Sequence, residues 1–98
     1  MARKLVRDRL ATRIPMDQLR FVKNTDEHLA LLREKLCEEG DEIAASSYAD
    51  PVEYADALQT LMDMAETAGI PWETIEQARL GKLADRGGFL GGLVYQVD

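Results

Sequence analysis

Two stretches of helically spaced apolar residues, separated by a short break at residues 47–50, constrain this chain more than any other feature. They make a helical hairpin its organising unit. In the first stretch Leu29, Leu32, Leu36 and Ile43 recur at helical intervals, with Leu31 and Cys37 beside them. Thr25 is the predicted N-cap, and Asp26 and Glu27 place negative charge in the first turn, where the helix dipole favours it. The spacing predicts a helix over about residues 26–46, with Ser46-Ser47-Tyr48 weakening its end. In the second stretch Asp50 is the predicted N-cap, Pro51 suits the first helical position, and Glu53 follows three residues after the cap. Val52, Ala55, Leu58, Leu61, Met62 and Ala65 give one broad apolar face, ended by Gly69 and Pro71. A third helix is predicted from about Pro71 to Asp85, with Trp72, Ile75, Ala78 and Leu83 on its apolar side and Gly87-Gly88 as its stop.

The ends of the chain read differently. Lys4 to Asp8 is predicted as a short extended piece, and residues 9–24 are mixed, with Pro15 after Ile14 marking a break. Leu19 to Val22 fits either a second extended piece or one helical turn. Leu93 to Val97 has the composition of a short strand, with Leu5-Val6 as its predicted partner. The expected fold is therefore all-α: one domain over residues 1–98, with three main helices and short extended terminal segments. A chain of 98 residues buries only about 60–70% of its unfolded surface. Its helices also carry more apolar face than one another can cover, so dimerisation is expected to complete the bundle.

Several classes are excluded. The single cysteine, Cys37, allows neither an internal disulfide nor a cysteine cluster for zinc, and reads as a small apolar filler. His28, the only histidine, lies nine residues upstream on a different helix face, so the two do not form a thiol–imidazole pair. No run of about 18 apolar residues could span a membrane. The amino-terminal residues lack an apolar signal core, and a cytoplasmic location is expected.

The net charge of −6 is unevenly spread. Residues 1–23 carry +5, residues 24–76 carry −12 and residues 77–98 carry +1. An acidic centre between basic ends suits a metal–phosphate site; a solvated acidic surface with a basic tail gives the same distribution. The acids themselves say more. Glu39 and Glu42 are three residues apart on the first helix, and Glu53 and Asp56 three apart on the second, so each pair points one way. Glu39 continues the stripe of Leu32 and Leu36, and Asp56 lies among Val52, Ala55 and Leu58, so both pairs border the face expected to be buried. If the helices form a hairpin, the pairs meet near the connection. Four carboxylates at an apolar face persist only if protons or a cation neutralise them, and oxygen donors without Cys or His select magnesium or manganese. Spacing alone leaves a second reading open, in which these are solvent-facing helix carboxylates and Glu53 is a capping-box partner.

The run Glu38-Glu39-Gly40-Asp41-Glu42, followed by Glu53-Tyr54-Ala55-Asp56, has the form Glu-Glu-x-x-Glu then Glu-x-x-Asp. It resembles the motif of the MazG-like, all-α nucleoside triphosphate pyrophosphohydrolases, a superfamily that includes the phosphoribosyl-ATP pyrophosphohydrolases. Lys4-Leu5-Val6-Arg7-Asp8 and Arg86-Gly87-Gly88-Phe89 resemble the amino- and carboxy-terminal signatures of a small branch of that superfamily. In that branch an Ile-Pro pair follows the first signature at once, whereas here Ile14-Pro15 comes later. The resemblance implies a magnesium-dependent enzyme, with manganese as a possible substitute. Its implied metal ligands are Glu39, Glu42, Glu53 and Asp56, and Glu38 is the implied group that orients or deprotonates the attacking water. Cleavage between the α and β phosphates would give a nucleoside monophosphate and pyrophosphate, in the role of clearing unwanted nucleotides. A dimer or dimer of dimers is also implied.

Lys4 and Arg7 at the extended start, and Arg79, Lys82 and Arg86 as one stripe of the third helix, are the candidate substrate-binding cations. Two rivals stand beside this reading. One is a phosphoribosyl-ATP pyrophosphohydrolase of histidine biosynthesis; the other is a non-catalytic helical module whose acidic face binds a basic partner. Fourteen acids in the central region argue against a surface that tracks nucleic acid.

Overall fold

The computed structural model describes residues 3–97 and contains three α-helices, with no strand among the described residues. They are α1 (Thr25–Ala45), α2 (Pro51–Thr67) and α3 (Trp72–Arg86). None of them is long and apolar enough to cross a membrane. α1 and α2 pack along their length as a hairpin, while α3 makes only a slight contact with α2.

Local chemistry sets the helix ends. Asn24, not Thr25, caps α1: its backbone is extended and its side-chain oxygen accepts the Glu27 N–H at 2.8 Å. Asp50 caps α2 by accepting the Val52 N–H at 2.9 Å, and Pro51 occupies a position that needs no amide donor. Pro71 precedes α3 without a side-chain cap. Gly40, toward the end of α1, does not serve a close approach by a neighbour: a methyl group there would meet nothing within 4 Å.

The α1–α2 connection is tight and held by hydrogen bonds. Ser47 and Tyr48 adopt left-handed backbone conformations, φ 58° and 61°, which are unfavourable for L residues. They are compensated by bonds from the Ser47 amide to the Ala44 carbonyl and from the Tyr48 amide to the Ile43 carbonyl. The Ser46 hydroxyl donates to the Ile43 carbonyl and accepts the Asp50 N–H, and the Tyr54 hydroxyl donates to the Tyr48 carbonyl at 3.0 Å. This turn sets the height of Glu53 and Asp56 against Glu39 and Glu42.

The core is thin. Among the described residues, Leu32 and Ala65 are the buried apolar ones, joined by two buried polar ones, Thr60 and Glu39. α3 buries none of its residues. The radius of gyration is 16.8 Å, against about 13 Å for a compact chain of this length. The accessible surface is 8707 Å², against about 5,600 Å² for a compact monomer of this mass.

The segment before α1 is a strap. Its first residues are extended, with 3-10 turns at Asp8–Arg13 and Met16–Gln18, so Asp8 already belongs to a turn. Leu19 is extended, with φ −114° and ψ 144°, and no helical turn forms over residues 19–22. Ion pairs pin the strap to the hairpin: Arg3 to Glu27 at 3.5 Å, Lys4 to Glu38 at 2.7 Å and Arg7 to Asp56 at 2.6 Å.

The predicted pairing of Leu93–Val97 with Leu5-Val6 does not form. Beyond α3 the chain passes through Gly87 and Gly92, both at positive φ, and Leu93, Val94 and Tyr95 are almost fully exposed. Their strand-like composition finds no partner edge, because Leu5 and Val6 lie against the helical hairpin instead.

Candidate metal centre

Glu39 extends the apolar stripe of α1 through Leu32, and helical geometry carries it into the hairpin, where only 1% of its surface remains accessible. Lys35, one turn earlier, places its ammonium 3.0 Å from Glu39 Oε1. Glu39 Oε2 is buried and has no hydrogen-bond partner. On α2, Glu53 does not act as a capping-box acid, since the Asp50 amide is taken by Ser46. Its carboxylate instead turns inward, and Glu53 Oε2 is also buried without a partner. Asp56, one turn on, accepts the Arg7 guanidinium at Oδ1. One carboxylate oxygen from each of Glu39, Glu53 and Asp56 lies within 4.8 Å of the others.

Glu42 is not part of this converging trio, but it flanks Glu53 and acts on it electrostatically. Burial pushes the Glu53 carboxyl above the ordinary range, and a side-chain hydrogen bond with Glu42, then the charges of Glu42, Asp50 and Asp56, push it further the same way. Glu38 sits at the rim. Its hydrogen bond from Lys4 holds its carboxyl below the ordinary range, and the same contact raises Lys4, with smaller help from Glu42 and Glu39. The Thr60 hydroxyl donates to the Asp56 carbonyl at 2.8 Å beneath the cluster.

The arrangement suits a hard cation. The donors are all oxygens, two are buried without a hydrogen-bond partner, and a buried carboxylate left so is costly. Lys4 and Arg7 are already in contact with the acids. Arg79, Lys82 and Arg86 are not brought there within one chain. α3 begins at the opposite end of α2 from Asp56, about 16 Å along the axis, and Arg79 pairs with Glu76 and Arg86 with Asp85. Lys35 is a member of the site that motif reading passed over; its place four residues before Glu39 was the available signal. Asp63, two turns beyond Asp56 on α2, accepts a hydrogen bond from Gln59 at 2.9 Å and remains exposed. A cleft of about 510 Å³ opens beside Glu39 and Asp56.

No protein-family model, curated protein or solved structure matches this chain. Its site is therefore read from its own geometry.

The Glu53 shift fixes the sign of a pH effect. A carboxyl whose folded pKa exceeds its unfolded value binds more protons when folded, so its contribution to stability falls as pH rises from the ordinary carboxylate value through the raised one. Glu53→Gln removes that penalty. The variant is expected to melt at a higher temperature than the parent at about pH 7, with the gap closing below about pH 4. A variant less stable than the parent at neutral pH, measured by thermal denaturation without divalent ions, would contradict the assignment.

Proposed function

We propose that this chain is a magnesium-dependent nucleotide pyrophosphohydrolase that cleaves between the α and β phosphates, giving a nucleoside monophosphate and pyrophosphate. The observation that carries the reading is the pair of buried, unpartnered oxygens on Glu39 of α1 and Glu53 of α2, gathered with Asp56 between the two helices. The likeness of the acidic motif and both terminal signatures to the MazG-like pyrophosphohydrolases supports it. Glu39, Glu53 and Asp56 would hold the ion, with Glu42 alongside. Bound magnesium would neutralise the polyphosphate and lower the pKa of an attacking water.

The chain's own side chains account for the rest. Arg7, paired with Asp56, and Lys4, paired with Glu38, would turn to the phosphates once a cation took up the acids. Glu38, freed from Lys4, is then placed to orient the water; while paired it is too acidic to serve well as a base. Arg79, Lys82 and Arg86 act on substrate only if α3 of a second chain brings them. The same metal site would serve phosphoribosyl-ATP as substrate. In the non-catalytic alternative the acidic face would answer to a basic protein and not to magnesium.

The oligomer belongs to the same reading. The surface excess over a compact monomer is about 3,000 Å² per chain, and an obligate interface removes about 1,000–2,500 Å² from each partner, so pairing would account for much of it. On α2, Tyr54, Leu58 and Leu61 form an exposed stripe, and Leu80 and Leu83 of α3 are half exposed. A second copy of this chain covering these residues would supply the missing core. Sedimentation at micromolar concentration should give about twice 11.0 kDa, or four times if dimers pair, and Leu58→Asp should lower the mass or unfold the chain. A folded, stable monomer would contradict the homo-oligomer.

Catalysis is tested by pyrophosphate release over a panel of ordinary and modified nucleotides and phosphoribosyl-ATP, with and without magnesium. Turnover is expected only with the metal. Glu53→Gln should lose at least about a hundredfold while keeping its helical circular dichroism. Undiminished turnover in that variant would overturn the site. If magnesium neither stabilises the chain nor supports turnover, the non-catalytic module is favoured.

A further inference from the structure

The cleft beside the acids has a shape and polarity of its own. His28, Leu32, Lys35 and Glu39 make one stripe of α1, and Asp56, Thr60, Asp63 and Thr67 make the facing stripe of α2. Because the helices form a hairpin, Glu39 stands opposite Asp56 at one end and His28 opposite Thr67 at the other, about 16 Å away. The cleft follows both stripes, and its volume of about 510 Å³ falls within the range of small-ligand sites. Leu5 and Val6 of the strap form its third wall, held in place by the Lys4–Glu38 and Arg7–Asp56 pairs.

The two ends differ in chemistry. At the Glu39–Asp56 end, Arg7 and Lys35 supply positive charge beside the acids that would hold a cation. Leu5, Val6 and Leu32 give the cleft its apolar lining. Toward the far end, beside His28 and Thr67, the lining includes Asp63 and Glu66, carboxylates that accept hydrogen bonds and donate none. Gln59 already donates to one oxygen of Asp63, which leaves the other for a ligand. These two acids lie about 10–15 Å along the helix from Asp56, beyond the Debye length of about 8 Å, so they do not repel a polyphosphate at the other end.

We propose, resting on the nucleotide reading above, that this cleft is the nucleoside subsite. In it Asp63 and Glu66 select a base that presents an amino group, adenine or cytosine over hypoxanthine or uracil. Leu5, Val6 and Leu32 cover the faces of the sugar and base, and the strap serves both as phosphate contact and as cleft wall. Pairing of two chains through Tyr54, Leu58 and Leu61 leaves the cleft open, because that stripe lies roughly 150° round α2 from the cleft residues.

The test is calorimetric binding to the full chain with magnesium present. The probes are the α,β-methylene analogues of ATP, CTP, ITP and UTP, and inorganic tripolyphosphate. The ATP and CTP analogues should bind about tenfold or more tighter than those of ITP and UTP, the difference expected of a hydrogen bond to a charged acceptor. They should also bind tighter than tripolyphosphate. Asp63→Asn should bring the four analogues to within about threefold of one another while tripolyphosphate binding stays unchanged, and Glu66→Gln should narrow the gap the same way. Analogues that bind no better than tripolyphosphate, or a base preference that survives both substitutions, would overturn the subsite while leaving the phosphate chemistry intact. Tripolyphosphate that fails to bind at all would overturn the nucleotide reading, and the subsite with it.

Discussion

A carboxylate shut between two helices is the interaction on which this structure turns. Glu39 has lost its water, and only one of its oxygens is met by a cation, that of Lys35 at 3.0 Å. An ion removed from water costs several kcal/mol unless its charge and lone pairs are answered. Here the nearest groups across the hairpin, Glu53 and Asp56, carry the same charge and make the cost greater. In a chain whose core otherwise amounts to Leu32 and Ala65, such an arrangement works against folding. It makes physical sense as a place prepared for a divalent cation, which would turn mutual repulsion into shared attraction.

Everything around the acids serves to hold them at that spacing. The strained turn at Ser47 and Tyr48, stitched by Ser46 and Tyr54, sets α2 against α1 so that Glu39 meets Glu53 and Asp56, with Glu42 beside Glu53. The strap supplies Lys4 and Arg7 at the rim, where they partly neutralise the cluster. Both are well exposed, so these contacts are individually weak and readily exchanged for a phosphate. The acids thus work against stability in this small fold, and in the proposed oligomer a second copy of the chain would supply the missing apolar burial.

What the sequence made legible follows from which signals are local. The hairpin could be read because Leu29, Leu32, Leu36 and Ile43, the Asp50–Pro51 start and the Gly69 stop are contained within single helices. The approach of Glu39 to Glu53 and Asp56 could be read because the same periodicity that places Leu32 inside places Glu39 there. The strap pairs were not legible: nothing near Arg7 in sequence marks Asp56, and the contact exists only once α1 and α2 have formed a surface. Leu93 to Val97 misled for the converse reason, since strand-like residues specify a strand only when another edge is available. The α3 cations were read as one stripe, but the direction α3 takes after Gly69 is tertiary, and it carries them away from the acids.

The central claim is a divalent cation bound between Glu39, Glu53 and Asp56, and anomalous diffraction from crystals soaked in manganese addresses it most directly. The account predicts an anomalous peak at about 2.1–2.3 Å from an oxygen of each of the three, with Arg7 no longer on Asp56. A crystal saturated with manganese that shows no peak there, or shows one only at other surface acids, would contradict it.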